Sequence, residues 1–264
     1  MSITWNSSDK SANITLSNGN LTTTATSTAW KSARATEYKS SGKWYWEVTI
    51  NVAASDYCIV GIGTSIASIS SYCGSDSYGY GYNGYNGYSY HNRSTAVYGN
   101  TFTLNDVIGV ALDMDNGKLW FSKNGTWQNS GVPASGTGEA FSGISGNFYP
   151  MISPYSSTSA ETANFGATAF SYSIPTGFKK LDFIQTYYYF TGFVYENDVP
   201  ASRQLYAYNR DSGELMQSTV SSGDGYFYVT TTYSGEHFVV ALDNVSGTGF
   251  NDKIIGKVVP ITVL

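Results

Sequence analysis

The sequence predicts an all-β fold made of two antiparallel β-sandwich modules in series. Glycine and tyrosine are abundant, with 28 and 23 residues, and both suit pleated sheets joined by tight turns. Short apolar or alternating runs are separated by turn dipeptides at roughly eight- to twelve-residue intervals, a spacing typical of sandwiches and barrels. No stretch has the Ala, Leu, Glu and Lys content of a long helix. We therefore expect very little helix.

Composition and charge limit the classes of partner. With 264 residues and 41% hydrophobic content, the chain can form one large or two ordinary domains. Charged residues make up 12% and the net charge is −5, so no basic field attracts a phosphate backbone and we expect no nucleic-acid partner. No apolar run approaches the roughly 18–20 residues that span a bilayer, and the chain opens on a polar stretch. We expect no membrane insertion, and folding in a cytosol.

The first strong element is the run Lys43–Val52, whose side chains alternate strictly between two faces, as in a strand with one buried face. The face predicted to be buried carries Trp44, Trp46, Val48 and Ile50, and the opposite face carries Tyr45, Glu47 and Thr49. The next run, Cys58–Gly63, is continuously apolar and contains two glycines near its end. It is predicted to be a central strand closely approached by another backbone. Cys58 and Cys73 are expected to be free thiols in the core.

A meander is predicted for residues 107–130. Val107–Leu112 is apolar, Asp115–Gly117 supplies residues that tolerate positive φ, and Lys118–Ser122 returns as the partner strand. A second turn at Lys123–Thr126 repeats this pattern. Two successive tight turns should fix the register of the three strands.

The last strands of the first module are predicted at Phe148–Ser153 and Ala163–Phe165. The composition shifts near residue 181, so the predicted domains are residues 1–181 and 182–264. Four runs separated by Gly-containing turns indicate the strands of the second module: Arg203–Asn209, Glu214–Val220, Tyr226–Thr232 and His237–Asp243. A sandwich of this size buries only about 60% of its unfolded surface, so it is expected to be marginally stable by itself.

Several motifs of the first module resemble the SPRY family in order and spacing. They are Gly42–Val48, Val60–Gly63, Asp106–Gly117, Leu119–Gly125, Phe148–Pro150 and Asn164–Gly166. The resemblance covers residues 25–181. It implies a bent antiparallel β-sandwich whose loops at one edge bind proteins or peptides. It implies no catalytic residue and no cofactor.

The second module looks like a transthyretin-like or immunoglobulin-like β-sandwich of the carboxypeptidase-regulatory type. The segments that carry this resemblance are Gly192–Val194, Pro200–Arg203, Gly213–Leu215, Ser222–Phe227 and Tyr233–Asp243. The closing stretch Phe250–Pro260 is similar to the C-terminal ends of bacteriophage structural proteins.

These resemblances imply a non-enzymatic bacteriophage virion surface protein, namely a capsid decoration, head fibre or tail adhesion component. Its expected location is the virion, and its expected partners are other virion proteins, a host-surface protein or glycan, and further copies of itself in a homo-oligomer. The alternative is a soluble adaptor whose SPRY module binds a peptide. A carbohydrate-processing enzyme is the third hypothesis.

The candidate binding segment is the tyrosine-rich run Tyr78–Tyr90. Its Gly79–Gly84 stretch matches the dinucleotide-binding pattern, but no helix follows to receive a pyrophosphate, so that interpretation is excluded. Two interpretations stay open: a hairpin or loop whose tyrosines form a ligand surface, or tyrosines that pack on the sheet or on another subunit. The candidate contact residues are Tyr78, Tyr80, Tyr82, Tyr85, Tyr88, Tyr90, His91 and Arg93. Replacing Tyr82, Tyr85 and Tyr88 together with alanine is expected to leave folding intact but to weaken assembly or attachment.

Catalytic and metal sites are not predicted. The only two histidines, His91 and His237, lie in different modules, and His91 is expected to make a polar contact at the base of the tyrosine loop. Carboxylates near aromatic residues suggest glycoside hydrolysis, but nothing places two of them together, and one is expected to be solvated on its strand. These carboxylates are Glu47, which is expected to be solvated, Asp113 and Glu161.

A calcium loop is also excluded. Counting from Asp113 puts Gly117 at the fifth position, whereas an EF-hand needs its glycine at the sixth. Asp113, Asp115 and Asn116 are therefore interpreted as turn-forming residues.

Overall fold

The computed structural model of the chain describes residues 2–52, 57–182, 188–196, 198–242, 253–258 and 261–262, the last two ranges as backbone only. The chain divides into two compact units, Met1–Phe183 and Ile184–Leu264. Strands account for 48% of the structure and helix for 1%, so the expectation of an all-β protein with very little helix is confirmed. No helix among the described residues is long and apolar enough to cross a membrane.

Where the structure describes it, the first unit contains fifteen strands and one 3-10 turn at Gln128–Ser130. The strands are β1 (Trp5–Lys10), β2 (Ile14–Ser17), β3 (Thr22–Ala25), β4 (Ala33–Ala35), β5 (Lys43–Val52), β6 (Cys58–Gly63), β7 (Gly79–Asn83), β8 (Tyr88–His91), β9 (Ser94–Val97), β10 (Val107–Asp113), β11 (Lys118–Lys123), β12 (Thr126–Trp127), β13 (Tyr149–Pro154), β14 (Ala160–Asn164) and β15 (Lys179–Lys180).

These strands form two sheets. The β6 sheet has seven strands in the order β1-β4-β13-β6-β7-β8-β9. The β5 sheet has eight, in the order β12-β11-β10-β5-β14-β3-β2 with β15 pairing parallel to β5. One hydrophobic core contains buried side chains from both sheets, including Trp46 and Val110 of the β5 sheet and Val60 and Ile152 of the β6 sheet. The predicted β-sandwich is therefore confirmed for this unit.

The predicted meander is confirmed. β10 pairs with β11 from Ile108↔Lys123 to Asp113↔Lys118, and β11 pairs with β12. Asp113 forms the first turn, because its Oδ1 accepts hydrogen bonds from the backbone N–H groups of Asp115 (3.1 Å) and Asn116 (3.0 Å). Gly117 has φ +63°, which favours glycine. These residues are turn formers, as expected.

The inner face of β5 matches the prediction for Trp46, Val48 and Ile50, which are buried in the core, whereas Trp44 packs against the core but is only partly buried. The outer face does not. Glu47 was expected to be solvated, and that prediction is wrong: its side chain is buried. The period-two pattern shows which residues share a face, but not what covers that face.

The segment after β14 returns across the outer face of β5 and supplies hydrogen-bond donors to Glu47. The backbone N–H groups of Ser171 (2.8 Å) and Tyr172 (2.9 Å) donate to the carboxylate, and so does the Tyr45 hydroxyl (2.9 Å). A buried carboxylate that accepts three hydrogen bonds is satisfied. Burial beside Glu47 raises the pKa of Tyr45, so this phenol stays neutral.

The second unit contains nine strands among its described residues. They are β16 (Tyr188–Phe193), β17 (Tyr195–Glu196), β18 (Val199–Pro200), β19 (Gln204–Asn209), β20 (Leu215–Val220), β21 (Tyr226–Thr231), β22 (His237–Ala241), β23 (Lys253–Val258) and β24 (Ile261–Thr262). The four strands predicted from residue 203 onward correspond to β19, β20, β21 and β22.

These strands form a three-stranded sheet (β21-β16-β24), a four-stranded sheet (β20-β19-β22-β23) and a short β17-β18 ladder. The two larger sheets share one small core, to which Phe190 and Val229 contribute from the first and Leu205 and Val239 from the second. Within the predicted closing stretch Phe250–Pro260, the described part is the backbone of β23 alone; the rest lies outside the described residues.

Candidate functional site

The tyrosine-rich segment forms a hairpin of β7 and β8 in the β6 sheet. The two strands pair from Tyr80↔His91 to Tyr82↔Ser89. Since successive side chains point to opposite faces of a sheet, Tyr80 and Tyr82 face the core, and Tyr88 and Tyr90 face away from it. The packing interpretation therefore holds for Tyr80 and Tyr82, and the ligand-surface interpretation stays a prediction for the tyrosines that face away from the core.

Tyr82 is a core residue, which corrects its prediction as a partner contact. It is 0% exposed, and its ring packs 5.5 Å from Tyr98, 5.2 Å from Phe102 and 5.3 Å from Phe121. Its hydroxyl donates a hydrogen bond to the Asn100 carbonyl. The alternation of tyrosines places Tyr82 on the inner face, and the sequence pattern did not show which of the two sets would be inside.

Tyr80 and His91 stack on each other across the hairpin, with ring centroids 4.0 Å apart and nearly parallel planes. His91 Nδ1 lies 2.8 Å from the Gly79 carbonyl, so the predicted polar contact at the base of the loop is confirmed. Arg93 is exposed and its Nε donates to the Ser75 carbonyl (3.2 Å). Tyr78 is 43% exposed. These four side chains do not line the concave site described next.

A groove of about 310 Å³ lies beside the turn between β7 and β8. Its lining consists of Trp30, Tyr57, Tyr72, Asn83, Tyr85, Asn86 and Tyr90, which we call the aromatic groove. Tyr85 and Tyr90 belong to the predicted contact residues. Tyr155 supports the groove, because its ring packs 5.1 Å from Trp30 and 5.4 Å from Tyr57.

The rings of the aromatic groove pack against one another, most of them edge-to-face or tilted. Trp30 is 5.3 Å from Tyr72 at 56° and 6.4 Å from Tyr57 at 80°. Tyr90 lies 5.8 Å from Tyr72 at 86°. Tyr85 extends this aromatic surface, because its ring stacks on that of Tyr57 with centroids 4.2 Å apart and an interplanar angle of 15°. Rings at these distances are in direct contact, so together they form one continuous aromatic surface along the groove.

The backbone around Trp30 is fixed by hydrogen bonds to two other segments. The Ala29 N–H donates to the Tyr155 carbonyl (2.9 Å), and the Ser32 N–H donates to the Ile69 carbonyl (2.9 Å). Lys31 is buried, and its ammonium donates to the carbonyls of Ser27 and Tyr155. The Trp30 ring is therefore held by its neighbours on both sides, so little side-chain or backbone ordering is left for binding.

Glycines bring Tyr72 to the groove. Gly61 and Gly81 face each other across β6 and β7, and a Cβ atom on Gly61 would lie 2.0 Å from the Tyr80 carbonyl oxygen and 2.8 Å from Cys73 Sγ. Because neither glycine has a side chain, the segment containing Cys73 lies directly on the sheet. Tyr72 is consequently placed against Tyr90.

Two amides complete the lining. Asn83 Oδ1 accepts from the Tyr85 N–H (3.0 Å), and Asn86 Oδ1 accepts from the Tyr88 N–H (3.1 Å), so both residues shape the turn. The Asn86 Nδ2 group donates to the Tyr90 hydroxyl (2.9 Å). Asn83 uses its oxygen in this way, and its Nδ2 group is the donor that it can offer to a ligand.

The lining among the described residues is uncharged. A hydrogen bond with Tyr85 raises the pKa of Tyr57, so this phenol also stays neutral. These described residues offer large, rigid aromatic area and hydrogen-bond donors, but none of them carries a charge with which to bind a phosphate or a carboxylate strongly.

Most of the groove was missed by sequence reasoning, which found Tyr85 and Tyr90 only. Tyr57, Tyr72 and Tyr155 lie in three separate connecting segments, and nothing local links them. Trp30 was the one sequence signal that pointed to the groove. It lies outside every predicted strand, so its large side chain was not needed to fill a position in a sheet.

The hypothesis of paired catalytic carboxylates finds no support. Glu47 faces outward from the β5 sheet, toward Ser171 and Tyr172. Glu161 is the register partner of Ile50 and faces the core, where it accepts from the Thr23 hydroxyl (2.8 Å). Asp113 is ion-paired with Lys43 at 3.0 Å. Because Glu47 and Glu161 lie on opposite faces of one sheet, they cannot flank a common glycosidic bond.

Two buried thiols are present, as expected: Cys58 and Cys73 are both free. No group of three or more His, Cys, Asp or Glu side chains suited to a metal ion occurs in the part of the chain that the structure describes.

The first unit is thus a β-sandwich with an aromatic groove built mainly from its connecting segments. Comparison with known families identifies it: residues 43–168 match the model of the SPRY domain. The chain therefore contains a SPRY domain, and the resemblance inferred from its motifs is confirmed.

Relatives support the same assignment. Ran-binding protein 9 of Xenopus tropicalis is 30% identical over 179 residues, which is 64% of this chain and 31% of that protein. The ATP-dependent RNA helicase DDX1 of Xenopus laevis is 38% identical over 96 residues, 36% of this chain and 12% of that protein. The matched region therefore spans less than a third of the first of these relatives and a smaller part of the second.

Among solved structures, the SPRY domain of human HERC1 has the same fold, with a TM-score of 0.51 and 21% identity. The match covers 62% of this chain and 99% of that domain. At this level of identity the likeness establishes the fold alone.

Proposed function

We propose that this protein is a non-catalytic interaction adaptor whose SPRY domain binds a peptide segment of another protein in the aromatic groove. The observation that carries this proposal is the groove itself: rigid, half-buried aromatic side chains and two amides, fixed by hydrogen bonds, open to solvent beside an exposed hairpin turn. Tyrosine and tryptophan give large contact area at low entropic cost, and they dominate binding hot spots.

The comparisons support this adaptor hypothesis over the virion hypothesis. Ran-binding protein 9 is named for binding another protein, and SPRY relatives in general suggest a protein-interaction domain. Nothing in the comparisons links the chain to a bacteriophage. The virion location, the host-surface or glycan partner and the homo-oligomer therefore stay predictions from the sequence.

For the second unit we propose the transthyretin-like or immunoglobulin-like sandwich that its motifs imply. The two antiparallel sheets with one shared core support this proposal. In an adaptor such a unit would serve as a spacer or as an attachment point for the SPRY domain.

Peptide selection tests the adaptor proposal. A random linear peptide library displayed on beads is selected on the whole chain, and the enriched peptides are measured against Tyr85→Ala and Tyr78→Ala. Both tyrosines are exposed, by 52% and 43%, but only Tyr85 lines the groove. We expect Tyr85→Ala to weaken binding about tenfold or more, the loss typical of a hot-spot aromatic residue, and Tyr78→Ala to leave it unchanged.

Each outcome is informative if thermal unfolding first shows that both variants keep the wild-type melting temperature. Peptides that bind the two variants equally well would place the binding surface elsewhere on the chain. A library that yields no specific peptide would contradict the adaptor proposal.

A further inference from the structure

We propose that the aromatic groove takes a proline-rich segment in the left-handed polyproline II conformation. This inference rests on the proposed peptide-binding function and names the class of peptide. It follows from comparing the groove with the few ways in which folded domains recognise peptides: strand addition, helix-in-groove docking, capture of acidic or phosphorylated motifs, and polyproline II recognition.

Strand addition does not fit this groove. It requires a free sheet edge, whose unpaired N–H and C=O groups form the ladder with the peptide. Tyr90 lies on β8, which pairs with β7 on one side and with β9 on the other. Tyr85 and Asn86 lie in the turn between β7 and β8. The groove therefore offers side chains, not a strand edge.

An acidic or phosphorylated motif does not fit either, because such motifs are bound by clusters of arginine or lysine. The groove has neither among its described lining residues. Lys31, next to Trp30 in the chain, is buried and directs its ammonium to the carbonyls of Ser27 and Tyr155. Its charge is therefore already satisfied inside the domain.

An amphipathic helix is too large for this site. An α-helix with its side chains is about 10–12 Å wide and presents anchors over two turns to a long aliphatic groove. The aromatic groove has a volume of about 310 Å³, and its described lining residues include no aliphatic side chain. It can hold only a few residues of a narrow, extended segment.

A polyproline II segment matches the two main features of the groove, its aromatic surface and its hydrogen-bond donors. Its pyrrolidine rings are compact and apolar, and they can pack on the aromatic surface that Trp30, Tyr72 and Tyr57 form. Its carbonyls form no internal hydrogen bonds and are all available to donors. The Asn83 amide, the Trp30 indole N–H and the tyrosine hydroxyls are donors of the right kind in the lining. Because the segment is extended before it binds, little entropy is lost.

The experiment is a titration of the whole 15N-labelled chain, followed at the Trp30 indole N–H signal, which is assigned with Trp30→Phe. The probes are an L-proline decamer, a D-proline decamer of the opposite helical hand, a Gly-Ser decamer and the neutral sugar maltohexaose. We expect saturable shifts with the L-proline decamer, binding at least tenfold weaker for the D-proline decamer, and no saturation with the other two.

Two variants provide the matched controls. Tyr85→Ala should weaken binding of the L-proline decamer about tenfold or more, and Tyr78→Ala should leave it unchanged. The proposal would be overturned if the L-proline and D-proline decamers bound equally well. It would also be overturned if Tyr85→Ala bound the L-proline decamer as tightly as the wild type. Saturation by maltohexaose without the L-proline decamer would overturn it in favour of a glycan.

The result is distinguishable from a failure of the adaptor proposal. If library selection yields peptides that depend on Tyr85 but lack proline, and the L-proline decamer does not bind, the adaptor function stands and the polyproline inference is wrong. If neither experiment gives binding that depends on Tyr85, both proposals are wrong.

Discussion

Replacing Tyr82 with alanine is expected to lower the free energy of unfolding by about 3–5 kcal/mol, the range measured for large aromatic residues cut back in a core. The Tyr82 side chain is 0% exposed and touches three other aromatic rings. Its removal leaves a cavity between β7 and β11, and it also deprives the Asn100 carbonyl of a donor. Urea unfolding followed by tryptophan fluorescence measures the loss.

Tyr85→Ala is the matched control, because the residue belongs to the same hairpin but is 52% exposed. Surface substitutions usually change stability by less than about 0.5 kcal/mol. If Tyr82→Ala unfolded at the same urea concentration as this control, the placement of Tyr82 in the core would be wrong. The burial of Tyr82 also overturns the expectation that Tyr82, Tyr85 and Tyr88 can be replaced together without loss of folding.

Replacing Glu161 with glutamine is expected to stabilise the protein at pH 8 by up to about 3 kcal/mol and to change little at pH 4. Glu161 is buried in the core of the sandwich, where Oε2 accepts from the Thr23 hydroxyl. Its Oε1 atom has no hydrogen-bond partner among the described residues. Burial raises the pKa of Glu161 from 4.5 to about 7, against the opposing effects of Thr23, Cys58 and Lys31.

The sign of the pH effect follows from the direction of this shift. The folded state holds the Glu161 proton more tightly than the unfolded state, so raising the pH from about 4.5 to about 7 removes stability that is fully present below that window. Above it, both states are ionised and the loss is complete. Glutamine keeps an acceptor for Thr23 and cannot ionise.

Urea unfolding of wild type and Glu161→Gln at several pH values between 4 and 8 tests this expectation. The lowered pKa values of Asp106 and Asp113 add their own pH dependence at lower pH, but it is common to both proteins and cancels in the difference. A difference between the two proteins that does not change with pH would show that Glu161 keeps an ordinary pKa in the folded state.

Much of the fold could be predicted from the sequence because its signals are local. The residues of the β10–β11 turn, Asp113–Gly117, form their hydrogen bonds within the turn itself, so their identities are enough to predict it. The same holds for the alternation in β5, which gave the correct inner face. Both signals need only the periodicity of a strand and the chemistry of a few neighbouring residues.

The site could be predicted only in part, because its geometry depends on contacts between distant segments. Trp30 meets Tyr155 through a backbone hydrogen bond from Ala29, and Tyr72 reaches Tyr90 because Gly61 and Gly81 leave room for the chain above them. For the same reason the sequence did not predict that the segment containing Ser171 and Tyr172 covers Glu47. A strand pattern carries no information about which later segment packs on its outer face.

The position of Cys73 has a practical consequence for measuring motion of the groove wall. Burial raises the pKa of its thiol to about 12, so a thiol-alkylating reagent reacts only when the chain segment that carries Cys73 and Tyr72 lifts from the sheet. Cys58 lies in the sandwich core and is exposed only by unfolding of the domain. The ratio of the two labelling rates therefore separates local opening of the wall from global unfolding, and a peptide seated against Tyr72 would slow the labelling of Cys73 alone.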